Sequence, residues 1–218
     1  MKSSQPQSTS SSSSRHSTDS SITPQLAPPG AGLPWPQRIL LRYALGPLVS
    51  TRADWDESLE KLARRHAKIA EEWALIQPED RGRRVLVPSQ PGLEDSSRYW
   101  SAEMVLEHLW IVGSRIEGAA LELSQGRVPH GVVDTAQVKP MGRVDETNVT
   151  DWMQRLDEWM KLATTRLKDV PHPSRKSKAT LTHPWFGEFR ASQWVWLLGE
   201  HHGIHLRQLR GIRQNWPR

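Results

Sequence analysis

The chain has 218 residues, with 29 Lys and Arg against 24 Asp and Glu, a net charge of +5, 11 tryptophans and no cysteine. That length fits one ordinary domain with tails. A cysteine-free chain has no disulfide framework, thiolate metal site, iron–sulfur centre or cysteine nucleophile, and a basic excess this modest is a weak argument for nucleic acid as a partner.

Eleven serines fall within residues 3–21, and Pro- and Gly-rich sequence continues to Pro36. So few apolar groups do not offset the entropy of ordering, so residues 1–34 are expected to form a disordered tail ahead of a domain spanning 35–218. The residues after Met1-Lys2 lack the apolar core of a secretory signal. The longest apolar run, 39–49, is broken by Arg42 and Pro47 and falls far short of the ~20 residues that cross a bilayer. The expectation is a cytoplasmic protein with no membrane partner.

From Trp35 the pattern turns helical. Trp55, Leu59, Leu62, Ala63, His66, Ile69, Ala70 and Trp73 recur at spacings of three and four, which is one face of a helix. Pro, Gly and charge mark 77–98 as a long connection. Asp95-Ser96-Ser97 offers capping side chains to a second helix striped by Met104, Val105, His108, Ile111, Val112, Ile116 and Ala119, with Gly126 just past its end. A loop holding Pro129, Gly131, Pro140 and Gly142 leads to a third helix from about Thr150, striped by Trp152, Leu156, Trp159, Met160, Ala163 and Leu167. Beyond Pro171, Pro173 and the basic 175–178 segment, a fourth carries Trp194, Leu197, Leu198, His201, His205, Gln208 and Ile212. No strand-like alternation matches these stripes in length. Four amphipathic helices bury their stripes against one another, which predicts an all-α four-helix bundle with long connecting loops. Loops of this length leave the winding open.

The placement of the nine histidines is more informative than their number. His16, His130 and His172 fall in the tail or loops, where a solvated imidazole is ordinary. His66, His108, His201 and His205 fall on apolar faces, where both ring nitrogens need partners once buried. His201 and His205, four apart, share a helix face one turn from each other and can hold one ion together. His108 stands mid-stripe on another helix. Three imidazoles converging in the bundle, with a fourth place open, make the arrangement of a catalytic divalent site. Hydrogen-bonded core histidines are the alternative on spacing alone. His66 is either an extra ligand or, more commonly for such a stripe-edge ring, bonded to a carbonyl or water.

Other polar residues gather round these faces. Gln208, three after His205, is a candidate to orient an imidazole, or else a core-edge amide. Arg115 follows His108 by seven and shares its face. It is a candidate contact for an anionic substrate, although snorkelling to the bundle end is the commoner fate of such a side chain. Glu107 and Glu200 each precede a candidate ligand and point about 100° away, as rim or helix contacts rather than bases. His202 leaves the metal face for solvent or a helix contact. His183 opens a Pro-aromatic-Gly turn and is expected to serve structure, with Trp185 and Phe186 plugging one end of the bundle.

The run from Gly92 through Ser101-Ala-Glu-Met-Val-Leu-Glu-His108-Leu, then His183-Pro-Trp-Phe-Gly, Gln193-Trp194 and His201-x-x-x-His205-Leu-x-Gln-Leu, resembles the DinB-like (DinB/YfiT) superfamily of metalloenzymes. The resemblance spans about residues 35–213. It implies a four-helix bundle that binds a divalent cation through one His of the second helix and two of the last, here His108, His201 and His205. It also implies relatives that act as transferases and isomerases with low-molecular-weight thiols, and others with no assigned activity. Three His ligands suit zinc, nickel or iron. The expected chemistry is activation of a water or thiol for hydrolysis or transfer on a small-molecule substrate, with a homodimer as a further expectation. The alternatives are a non-catalytic metal-binding or interaction bundle and, more weakly, a nucleic-acid contact through Arg207, Arg210, Arg213, Arg218 and residues 175–178. Against the last, interleaved aromatics and a helix-turn-helix signature are lacking.

Overall fold

The computed structural model describes residues 24–130, 134–142 and 151–216. His16, the serine run, Gly131, Arg143, Thr150 and Arg218 lie outside these residues, as does most of the expected tail. Within residues 24–34, Leu33 is buried and the Ala27 N–H donates to Asp95 at 2.8 Å, so this end of the segment rests on the domain.

Pro at the start of a helix costs nothing, because its missing N–H is one of the unpaired donors there. Trp35-Pro36 accordingly opens a rod of three parts: α1 (Trp35–Leu40), a π-helical turn (Leu41–Leu45) and α2 (Gly46–Arg52). Most of its side chains are exposed, Trp35, Ile39 and Tyr43 among them.

The bundle proper comprises α3 (Trp55–Ala74), α4 (Ala102–Ser124), α5 (Trp152–Lys168) and α7 (Ala191–Gln214), with a single short turn, α6 (His172–Arg175), before the last. The chain is therefore an all-α four-helix bundle. Around its axis α3 packs on α7, α7 on α4, α4 on α5 and α5 on α3. The predicted stripes form the core. Leu62, Ile69, Leu156, Ala163, Leu198 and Ile212 are fully buried, whereas Ala63 lies exposed on the flank of α3.

Helix ends follow local chemistry. Asp54 and Asp151 accept backbone N–H groups at the starts of α3 and α5. At the start of α4 the cap is Ser101, whose Oγ accepts the Met104 N–H at 3.2 Å. Asp95–Ser97 instead forms a separate 3-10 turn, because a two-residue strand at Tyr99–Trp100 intervenes before the helix begins. Gly126 adopts φ +77°, and the amides of Gly126 and Arg127 return to Leu123 O and Glu122 O, a Schellman closure that a residue with a Cβ would strain. Gly113 has a packing role: a Cβ there would lie 2.5 Å from the Trp159 ring, so its absence lets α4 and α5 close together.

Two short antiparallel ladders were not expected from the sequence. β1 (Val85–Leu86) pairs with β2 (Tyr99–Trp100), and β3 (Leu181–His183) with β4 (Gly187–Phe189). Strands of two or three residues are too short to show alternation. They staple the connections ahead of α4 and α7, the two helices that bear the candidate ligands. No helix among the described residues is long and apolar enough to cross a membrane.

Candidate metal centre

His108 of α4 and His201 and His205 of α7 meet between their two helices. Each offers one ring nitrogen, and these atoms all lie within 4.8 Å of one another. The Nε2 of His201 is 3.2 Å from that of His108 and 3.2 Å from that of His205. Nitrogens bound tetrahedrally to one ion at about 2.0–2.1 Å stand about 3.3 Å apart. The spacing therefore fits a shared cation.

The far side of the rings fixes where their protons are. His108 Nδ1 lies 2.7 Å from Val138 O, a carbonyl that only accepts, so Nδ1–H donates. Gln208 Nε2 donates to Ser97 O at 2.7 Å, which turns Gln208 Oε1 toward His205 Nδ1 at 2.7 Å. That nitrogen donates as well. Both Nε2 atoms consequently present lone pairs to the centre. His201 Nε2 can supply one proton for two acceptors at best, so one contact would set lone pair against lone pair. A cation at the middle removes that conflict.

Electrostatics agree. Burial, reinforced by the neighbouring rings, holds His108 and His201 well below the ordinary imidazole range. Burial pushes His205 down to about 4 against the opposing pull of its bond to Gln208. All three are neutral near pH 7, the form that ligates. Trp100 walls the site, stacked on His205 with centroids 6.1 Å apart and edge-on to His108 at 5.0 Å.

The rings open on a cavity of about 540 Å³ with an apolar wall that includes Val112, Ile116, Phe186 and Trp194. Arg115 lines it, on the face predicted for it. Glu94, Lys139 and His183 line it too. Glu94 is buried; its Oε2 accepts from Lys139 Nζ, while Oε1 has no hydrogen-bond partner. His183 Nδ1 accepts the Trp185 and Phe186 N–H groups at 3.1 and 3.4 Å, which leaves its proton on Nε2. Burial pushes this ring down to about 3.

His202 and Glu200 take the helix contacts expected of them, while His66 and Glu107 find other partners. His66 is not brought to the three: its Nε2 lies 2.6 Å from Asp157 Oδ1, a carboxylate on α5 that takes it as a partner between helices. His202 is fully buried at a helix contact, with Nδ1 on Leu198 O and its ring against Trp159. Glu107 accepts the Met141 and Gly142 amides at 2.9 and 3.1 Å, pinning the loop that delivers Val138 O to His108. Glu200 pairs with Lys61 and Arg65 of α3. Arg210 and Arg213 are both engaged by Glu72, and Arg175 by Asp56, which leaves little of the basic C-terminal end free for phosphates. Sequence reasoning passed over Glu94, Lys139 and Val138. Glu94 and Lys139 lie on loops and Val138 ends a single 3-10 turn, too short for a helical period to mark it, and Val138 acts through its backbone.

No family model and no curated protein matches the chain. Among solved structures, it is similar to that of a four-helix bundle protein, TT2238, at 18% identity and a TM-score of 0.47, over 72% of this chain and 98% of the other.

Proposed function

We propose that this protein is a metal-dependent enzyme of the DinB-like type, which holds a divalent cation (zinc, nickel or iron) on His108, His201 and His205. The observation that carries this reading is the convergence of three Nε2 atoms, two of them stripped of their proton by Val138 O and Gln208 Oε1. A cation with three nitrogen ligands and an open place lowers the pKa of a water or thiol at neutral pH. The remaining chemistry belongs to the chain. Glu94 Oε1, buried and without a donor, accepts the proton that such a nucleophile gives up, while Lys139 pairs with Oε2 and holds the carboxylate in place. Hydrolysis or thiol transfer on a small molecule follows, with a low-molecular-weight thiol as the candidate co-substrate.

The cavity argues against an ion that only locks the bundle, since a structural site is closed on every side. Metal analysis after exposure to zinc, nickel and ferrous iron tests the reading. One equivalent is expected in wild type and a loss of most of it in His108→Ala and His205→Ala, with circular dichroism showing the bundle retained. Equal, near-zero metal in all three proteins refutes it.

A further inference from the structure

The histidine cavity does not end at its apolar wall. It shares Arg115, His130, Asp134, Thr135 and Trp185 with a second, polar chamber of about 730 Å³ that Arg38 of α1 also lines. Two arginines from different elements thus border one space. Among the described residues neither guanidinium has a carboxylate partner. The local acid is Asp134, and its Oδ1 is already taken by the Ala136 N–H at 2.8 Å. Among the described residues the lining of the chamber therefore carries a positive excess, two arginines against one carboxylate. Elsewhere the same chain neutralises its arginines at helix seams: Arg166 on Glu117, Arg175 on Asp56, Arg210 and Arg213 on Glu72.

We infer that the ligand of this site is an elongated amphipathic anion. Its carboxylate or phosphate is held by Arg115 and Arg38, its apolar body lies along Val112, Ile116, Phe186 and Trp194, and its reacting end lies at His108, His201 and His205. The last clause rests on the metal reading above, whereas the anionic end stands on the arginines and the chamber alone. The length follows from the helix. Arg115 is seven residues beyond His108 on α4, and a rise of 1.5 Å per residue separates their Cα atoms by about 10 Å along the axis. Medium-chain acids span that gap, and formate or acetate does not. A planar guanidinium reads either anion through paired, charge-assisted hydrogen bonds.

The experiment is calorimetric titration of the full chain, metal-free and zinc-loaded, with octanoate, octyl phosphate and octanol, and then with ω-mercaptooctanoate and octanethiol. Zinc stoichiometry is measured on the same samples. In metal-free protein octanoate or octyl phosphate is expected to bind about tenfold or more tightly than octanol, because charge-assisted bonds to arginine outweigh neutral ones. Whichever anion binds tighter identifies the head group. Arg115→Ala and Arg38→Ala each erode that preference while the octanol affinity and the zinc content stay unchanged. Zinc loading then raises the affinity of ω-mercaptooctanoate over octanoate, and His205→Ala abolishes the gain without touching the anion preference. Equal binding of octanoate, octyl phosphate and octanol, or a preference indifferent to both arginine variants, overturns the anionic end even where zinc binds in full. Absence of zinc with the preference intact overturns instead the placement of the reacting end, and with it the metal reading.

Discussion

At the scale of single residues, the centre depends on what stands behind each ring. Gln208 donates to Ser97 O and accepts from His205 Nδ1–H, so one amide fixes both the orientation and the tautomer of a candidate ligand. Removing such a partner typically costs 10–100-fold in metal affinity. Gln208→Leu is therefore expected to weaken zinc binding by about that factor in competition with a chromogenic chelator, and Gln208→Glu, which keeps an acceptor beside His205, to restore most of it. Identical affinities for wild type and Gln208→Leu would remove Gln208 from the site. Gln208 was legible in the sequence because it shares a helical face with His205, and Arg115 because it shares one with His108. Glu94 and Val138 were not, since a loop brings its groups into place through tertiary contacts that leave no spacing to read. His66 misled for a related reason. A helix face says which way a ring points, and only the neighbouring helix decides whether it meets a cation or Asp157.

At the scale of elements, α7 does two jobs with adjacent histidines. His201 and His205 face α4, while His202 faces the seam with α5, its ring 6.1 Å from that of Trp159 and tilted 21° from parallel. Its Nδ1–H donates to Leu198 O at 3.0 Å, and its buried Nε2 has no partner. Burial, followed by the nearby His66, pushes this ring down to about 3. The sign follows. Between that value and an unfolded value near 6.5 the unfolded chain binds the extra proton, so stability is full above about pH 6.5 and drains away as the pH falls toward 3. Such a ring contributes a slope of at most ~1.4 kcal/mol per pH unit. His202→Leu is expected to flatten the fall in urea midpoint between about pH 6 and 4 in metal-free protein; a slope equal to that of wild type would contradict the buried, neutral ring. Elements were legible where they were long. The stripes of α5 and α7 emerged as the core, while the start of α4 was displaced from Asp95–Ser97 to Ser101 because the β1–β2 ladder, too short to announce itself, occupies the approach.

At the scale of the whole molecule, four stripes suffice to specify a bundle, because each has only the others to bury against. Which helices become neighbours was hidden behind connections too long to dictate a winding. The order α3, α7, α4, α5 turns out to set α4 beside α7, and that adjacency converts three separate histidines into one centre. Glu107 and the β3–β4 ladder then fasten the surrounding loops, so that Val138 O backs the His108 ring and His183 borders the cavity. The central claim is that these three imidazoles bind one cation and leave a place free. X-ray absorption at the zinc edge of the loaded protein reads this directly. The account predicts three nitrogen scatterers at about 2.0–2.1 Å, with imidazole outer-shell features, and a light fourth ligand that added thiol replaces with sulfur at about 2.3 Å. A shell of oxygens alone, or a spectrum unchanged in His205→Ala, would contradict it.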